Sequence, residues 1–97
     1  MKDLYNVPAD IFMSASDKAA ELGCVITTCV RKSTHADDDF LYVVIAKKTK
    51  PLWENREYCV WTYNTKTDSF CDGVYDVSSY KAIQNLAKRL WAPDEEE

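Results

Sequence analysis

The chain has 97 residues, of which 46% are hydrophobic, which is enough for one domain with a single core and unlike a disordered or fibrous chain. Its formal net charge of -4 is opposite in sign to that of most domains that bind a phosphate backbone. No stretch approaches the ~20 apolar residues of a membrane-spanning helix, and the first residues lack the apolar centre of a secretion signal. We therefore expect a cytoplasmic protein that does not contact a membrane.

The first predicted element is a helix over residues 8–22. Its apolar side chains follow the three-and-four spacing of a helix with one buried stripe, at Ile11, Phe12, Ala15, Ala19 and Leu22. Gly23 is a suitable stop, because glycine readily adopts the left-handed conformation past a last turn. The start has two alternatives: Asn6 caps a helix with Pro8 in its first turn, or Ser14 begins a later helix.

Four strands are predicted next, from segments rich in β-branched and aromatic residues. They cover residues 24–34, 40–48, 56–64 and 69–77. The connectors HADDD and NTKTDS are polar and turn-forming, which predicts two hairpins. The link between the hairpins contains Pro51 and cannot itself be a central strand.

The last predicted element is a helix over residues 79–91. One of its faces carries most of its apolar side chains, namely Tyr80, Ile83, Leu86, Ala87, Leu90 and Trp91. Asp76, Ser78 and Ser79 are candidate caps, and Pro93 prevents continuation. We predict one domain over residues 1–92, followed by an acidic, disordered tail over residues 93–97.

The predicted fold is α+β, in the order αββββα. Short connections favour a four-stranded antiparallel meander. Placing the N-terminal and C-terminal helices on one face of the sheet buries both apolar stripes in two layers, so that arrangement is the prediction.

Both faces of the predicted sheet are apolar, although helices on one face would leave the other solvated. The mostly aliphatic helices should pack on Leu41, Val43 and Ile45. The aromatic residues would then form an open, partner-binding face, made of Phe40, Tyr42, Trp61 and Tyr63. The alternative is that these rings only favour strand structure, since scattered exposed rings need no functional explanation.

Acidic residues are the second predicted part of the partner-binding surface. Asp37, Asp38 and Asp39 lie in the first hairpin connector, and Asp72 lies in the last strand. They would present negative charge to a basic partner. The alternative is that they only keep the protein soluble.

Two aromatic motifs give the chain a family resemblance. A strand with V-W-x-Y-N, from Val60 to Asn64, precedes a strand with F-x-x-G-x-Y, from Phe70 to Tyr75, and then a helix opened by serines. This pattern, over about a third of the chain, resembles small uncharacterised proteins of bacteriophages and mobile elements. The resemblance implies a short accessory protein in the cytoplasm of a bacterial host, of a class in which some members bind and block defence enzymes such as CRISPR effectors.

No catalytic or metal-binding constellation is present in the sequence. In a cytoplasmic protein the four cysteines, Cys24, Cys29, Cys59 and Cys71, are expected to be reduced thiols, and their spacing contains no CxxC pair. His35 is the only histidine and has no recognisable nucleophile motif beside it. We predict no enzymatic activity, no cofactor and no metal.

The leading hypothesis is therefore a non-catalytic protein-binding module that inhibits a host protein, for instance in a nucleic-acid-processing complex. The alternative is a sheet-mediated homodimer with a structural or scaffolding role. Single-stranded nucleic-acid binding is less favoured. It would use aromatic rings with the basic residues Arg31, Lys32, Lys47, Lys48 and Lys50, but the net charge opposes it.

Overall fold

This computed structural model describes residues 7–32 and 41–91. The elements are α1 (Ala9–Glu21), β1 (Cys24–Arg31), β2 (Leu41–Lys48), β3 (Tyr58–Asn64), β4 (Ser69–Val77) and α2 (Ser79–Trp91). The strands form one antiparallel sheet in the order β1-β2-β3-β4. The predicted α+β class, the element order and the meander are confirmed.

The helix ends follow from local chemistry. Pro8 directly precedes α1 without a side-chain cap, and the helix runs unbroken through Ser14, so the later start is wrong. Gly23 ends the helical segment with a φ of 76°, in the left-handed region predicted for it. Ser78 caps α2, because its hydroxyl accepts a hydrogen bond from the Lys81 amide at 3.2 Å.

The edge strand β4 is bent by two irregularities in its pairing with β3. Register shifts separate the pairs Tyr58–Val77, Val60–Val74 and Thr62–Cys71. Asp72 and Asp76 lie beside these shifts with φ of 54° and 56°, in the left-handed region that aspartate tolerates better than most residues. Such bulges make β4 a poor template for pairing with a further strand.

The two helices lie on opposite faces of the sheet, so the prediction of both helices on one face is wrong. Ala15 and Ala19 of α1 share a buried cluster with Trp61. Ala82 of α2 belongs to a second cluster with Val60, the residue before Trp61 in β3. Since neighbouring residues of a strand point to opposite faces, the helices cover opposite sides.

Side-chain volume explains this arrangement. The small alanines of α1 face the bulky rings of Tyr42, Trp61 and Tyr63. On the other face, Ala82, Leu86 and Leu90 of α2 pack against the smaller aliphatic residues Val43, Ile45 and Val60. Pairing large residues with small ones fills each layer. The apolar residues on both faces of the sheet are therefore covered by helices of the same chain.

Some predicted features fall outside the described residues. They are Phe40, Asp37, Asp38 and Asp39 of the predicted partner-binding surface and the acidic tail over residues 93–97.

Candidate functional site at one end of the sheet

The predicted aromatic docking face is a buried layer. Tyr42 is 1% exposed, and Trp61 and Tyr63 are each 2% exposed, because α1 and the ring of Phe70 cover this side of the sheet. The prediction that these rings lie on an open face is therefore wrong. The prediction that both helices pack on the aliphatic face is also wrong, because α2 alone covers that face.

Trp61 is enclosed by rings from the edge strand. Its ring stacks on Phe70 with centroids 4.5 Å apart, and it meets Tyr75 edge-on at 6.1 Å. A Cβ atom on Gly73 would lie 2.6 Å from Cζ of Tyr75, so the absence of a side chain at Gly73 makes room for this ring. The motif F-x-x-G-x-Y therefore supplies a cover for Trp61.

Tyr63 is fixed by its hydroxyl, which donates a hydrogen bond to Asp68 in the β3–β4 turn. Lys18 of α1 forms an ion pair with the same aspartate at 3.8 Å. Burial raises the pKa of Tyr63 to about 12, and the bond to Asp68 acts in the same direction. The aspartate thus joins α1 to the turn, which is a structural role.

Asp72 has a structural contact through its backbone. Its carbonyl accepts a hydrogen bond from Arg89 of α2, whose guanidinium also donates to Thr62 at 2.8 Å and to Asn85 at 2.7 Å. Arg89 therefore ties α2 to β3 and to the first bulge of β4. Asp72 is exposed, as a partner-binding role requires. The aromatic rings that were predicted to form the docking surface with it are buried.

The cysteines carry free thiols. Cys24 and Cys59 lie in the buried cluster under α1, and burial raises the pKa of Cys24, with a further rise from neighbouring Cys59. Burial also raises the pKa of Cys29 to about 11. These thiols are poor nucleophiles at neutral pH. In the described part of the chain, no three histidine, cysteine, aspartate or glutamate side chains converge as a metal site would require.

A cleft lies at the end of the sheet where β4 leads into α2. It has a volume of about 390 Å³ and is lined by Glu54, Asn55, Arg56, Asp76, Val77, Ser78 and Lys81. A second depression of about 220 Å³ shares Asn55 and Ser78 with it and extends it to Tyr58. We call this end of the molecule the cleft end; it comprises the end of α1, the start of β1, the connection 49–57, the end of β4 and the start of α2.

The connection 49–57 forms one wall of the cleft and has a fixed base. The Thr49 amide donates to the Gly23 carbonyl at 3.0 Å, and the Lys48 amide donates to the Glu57 carbonyl at 2.8 Å. A turn follows in which the Arg56 amide donates to Trp53 at 3.3 Å, with Asn55 in the left-handed region. Trp53 therefore lies in a turn of a loop whose ends are held by hydrogen bonds.

Exposed apolar side chains are concentrated at the cleft end. Among the described residues nine large hydrophobic side chains are exposed, and six belong to this end, namely Leu22, Val25, Leu52, Trp53, Tyr80 and Ile83. Leu52 is 77% exposed and Trp53 is 55% exposed. In α2, Tyr80 and Ile83 were predicted to be core residues but point away from the sheet, while Ala82 is buried.

The charges at the cleft are partly neutralised. Lys47 pairs with Glu57 at 3.4 Å, and Lys48 pairs with Asp76. The hydrogen bond to Asp76 raises the pKa of Lys48. Of the remaining charged residues that line the cleft, Arg56, Lys81 and Glu54 have no ion pair with any described residue.

The fold is a small meander sheet with one helix on each face. Its cleft end combines exposed aromatic side chains with a cleft that both cations and carboxylates line. No family model, curated protein or solved structure gives a significant match to the chain. Neither helix within residues 7–32 and 41–91 is long and apolar enough to cross a lipid bilayer.

Sequence reasoning missed Leu52 and Trp53 because they were assigned only to a link that could not be a strand. One signal was available. A tryptophan beside Pro51, outside every predicted strand and helix, has no predicted partner in the core.

Proposed function

We propose that this chain is a non-catalytic protein-binding module that uses the cleft end. The observation that carries the proposal is the exposure of Leu52 and Trp53 on an anchored loop beside a cleft. Tryptophan and tyrosine are enriched among the residues that dominate binding energy at protein interfaces, because they supply a large area at low entropic cost. Tyr80 and Ile83, on the first turns of α2, are further exposed apolar side chains at the cleft end.

The biological setting that we propose is a phage-type accessory protein that binds and inhibits a host protein in the bacterial cytoplasm, for example an enzyme of a defence system. This part of the proposal is supported by the V-W-x-Y-N and F-x-x-G-x-Y motifs. The motif residues Trp61, Tyr63 and Phe70 lie in the layer between the sheet and α1. The resemblance to phage proteins therefore concerns the fold and does not locate a docking site.

Affinity capture tests the binding function. The immobilised chain is exposed to lysate of a bacterial host, beside a Leu52→Ser/Trp53→Ser variant. The control variant is Phe12→Ser/Met13→Ser, which removes two exposed apolar side chains at the start of α1, away from the cleft end. We expect the wild type and the control to retain a protein that the Leu52→Ser/Trp53→Ser variant loses.

Two results would contradict the proposal. In one, nothing is retained above background by the wild type. In the other, the Leu52→Ser/Trp53→Ser variant retains the same protein at the same level, which would move the binding surface elsewhere.

The homodimer alternative loses the open sheet face on which it depended, because helices cover both faces. It stays a prediction for another surface of the molecule. Sedimentation velocity across a range of micromolar concentrations tests it, since a dimer that persists on dilution would favour self-association over an external partner.

A further inference from the structure

We propose that the cleft binds an acidic segment of another protein, one in which carboxylate side chains flank a large apolar side chain. This inference rests on the proposed binding function and assigns the partner's chemistry. It is carried by the charged side chains that line the cleft and by the exposed apolar side chains that adjoin lining residues along the chain.

The charge on the cleft favours an acidic occupant. Two ion pairs neutralise Lys47, Glu57, Lys48 and Asp76 within the chain. The lining residues left without an ion pair among the described residues are two cations, Arg56 and Lys81, and one carboxylate, Glu54. Lys50 belongs to the same connection and also has no ion pair with another described residue. With Asp76 paired to Lys48, the lining charges left over are two positive and one negative, a local balance of +1 in a chain whose overall charge is -4.

The apolar side chains favour a partner with its own apolar anchor. Exposed Leu52 and Trp53 directly precede the lining residue Glu54, and exposed Tyr80 directly precedes the lining residue Lys81. Burial of such side chains on binding supplies affinity, whereas the surrounding charges set orientation and the rate of association. An acidic segment with no apolar residue would leave this surface in water.

A protein segment fits the cleft better than a nucleic acid does. Backbone phosphates of a nucleic acid are usually bound by several cations at once, and repulsion from a net negative protein opposes that binding. Within residues 7–32 and 41–91, Arg56 and Lys81 are the cations that line the cleft and have no ion pair. A short acidic segment needs no more than these two.

The test uses the whole chain as bait for a display library of random peptides of about 12 residues, a length that exceeds a cleft of this size. We expect the selected peptides to be enriched in aspartate and glutamate around an aromatic or long aliphatic residue. A synthetic copy of the most frequent peptide, labelled with fluorescein, then gives a Kd by fluorescence anisotropy.

Charge variants locate that binding. Arg56→Glu/Lys81→Glu should weaken the Kd of the selected peptide by about tenfold or more, and Arg56→Gln/Lys81→Gln should have a smaller effect in the same direction. The matched control, Lys66→Glu/Lys88→Glu, makes the same change in net charge in the β3–β4 turn and at the end of α2. It should leave the Kd within about threefold. Circular dichroism confirms that each variant is folded.

Three outcomes would overturn the inference: selected peptides without acidic enrichment, equal effects of the cleft and control variants, or tighter binding of a labelled oligothymidylate than of the peptide at physiological ionic strength. The last result would favour single-stranded nucleic acid as the ligand. The proposed function is judged separately by affinity capture. If a host protein is captured through Leu52 and Trp53 while the peptide test fails, the binding function stands and only the acidic partner is wrong.

Discussion

Trp53 and Trp61 are close in sequence but occupy opposite environments. Trp61 lies under α1 with Phe70 stacked on it, whereas Trp53 is more than half exposed on the anchored turn beside the cleft. Trp61 lies on a central strand and belongs to the core, whereas Trp53 lies outside every strand and helix of the described residues and belongs to the candidate binding surface. The following predictions test this division.

Replacing the buried tryptophan should have the largest effect on stability. Trp61→Ala removes the ring that holds Phe70 and Tyr75 and leaves a cavity under α1. A buried tryptophan truncated to alanine costs about 3 to 5 kcal/mol, a large share of the free energy of unfolding of a small domain. Urea denaturation followed by fluorescence of the remaining tryptophans measures it. A loss below about 1 kcal/mol would mean that Trp61 is not a core residue.

Arg89→Leu should give the next largest loss. The leucine keeps an apolar stem against the sheet but removes the bonds to Thr62, to Asn85 and to the Asp72 carbonyl. Hydrogen bonds to a charged group contribute about 1.5 to 3 kcal/mol, so we expect a destabilisation of about 2 kcal/mol. Lys88→Leu, at the neighbouring exposed position of α2, is the matched control and should change stability by less than about 0.5 kcal/mol. Equal losses in both variants would show that the helix, rather than this network, is affected.

Tyr63→Phe should cost about 1 kcal/mol near neutral pH, because it removes only the hydroxyl that bonds to Asp68. The pKa of Tyr63 in the folded protein, about 12, is above its ordinary value near 10. The stability linked to this group is therefore fully present below about pH 10 and is lost as the pH rises through about 12. The difference in unfolding free energy between wild type and Tyr63→Phe should shrink over that range.

Chemical denaturation at a series of alkaline pH values follows this difference. Absorbance of the tyrosinate ion provides an independent measurement, since the component that ionises near pH 12 should be missing in the variant. A difference that grows between about pH 10 and 12 would contradict the sign of the pKa shift.

Trp53→Ala should have the smallest effect on stability and a large effect on binding. An exposed ring on a surface turn contributes within about 0.5 kcal/mol to folding, whereas loss of an interface anchor typically costs about 2 kcal/mol of binding energy. Thermal unfolding gives the first quantity, and titration against the partner found by affinity capture gives the second. A large fall in Tm with unchanged binding would show that Trp53 supports the fold and does not bind the partner.

Much of the fold could be predicted because local signals agreed with each other. The bounds of β4 and α2 match the predicted segments, since a polar turn precedes β4 and a serine caps the start of α2. The burial of Tyr42, Trp61 and Tyr63 could not be predicted in the same way. The strands that carry them are apolar on both faces, so the alternation of side chains gives no indication of which face a helix covers.

The candidate site was harder to predict because it is made by segments distant in sequence. Asn55 and Arg56 come from the β2–β3 connection, while Asp76, Ser78 and Lys81 come from the end of β4 and the start of α2. Their proximity depends on the antiparallel register, which places the start of β3 beside the end of β4. Exposure of Tyr80 and Ile83 likewise depends on the rotation of α2 about its axis, which Ala82 sets by packing on β2 and β3.

The sequence by itself determined the class, the order of elements and most of their ends, because periodicity, turn residues and caps act within a few residues of each other. Only the tertiary structure decided which face each helix covers. That choice depends on fitting alanines over rings and leucines over valines across the whole sheet, a matter of volume in three dimensions. The same packing left Trp53 and Leu52 outside the core and so created the surface on which the proposed function rests.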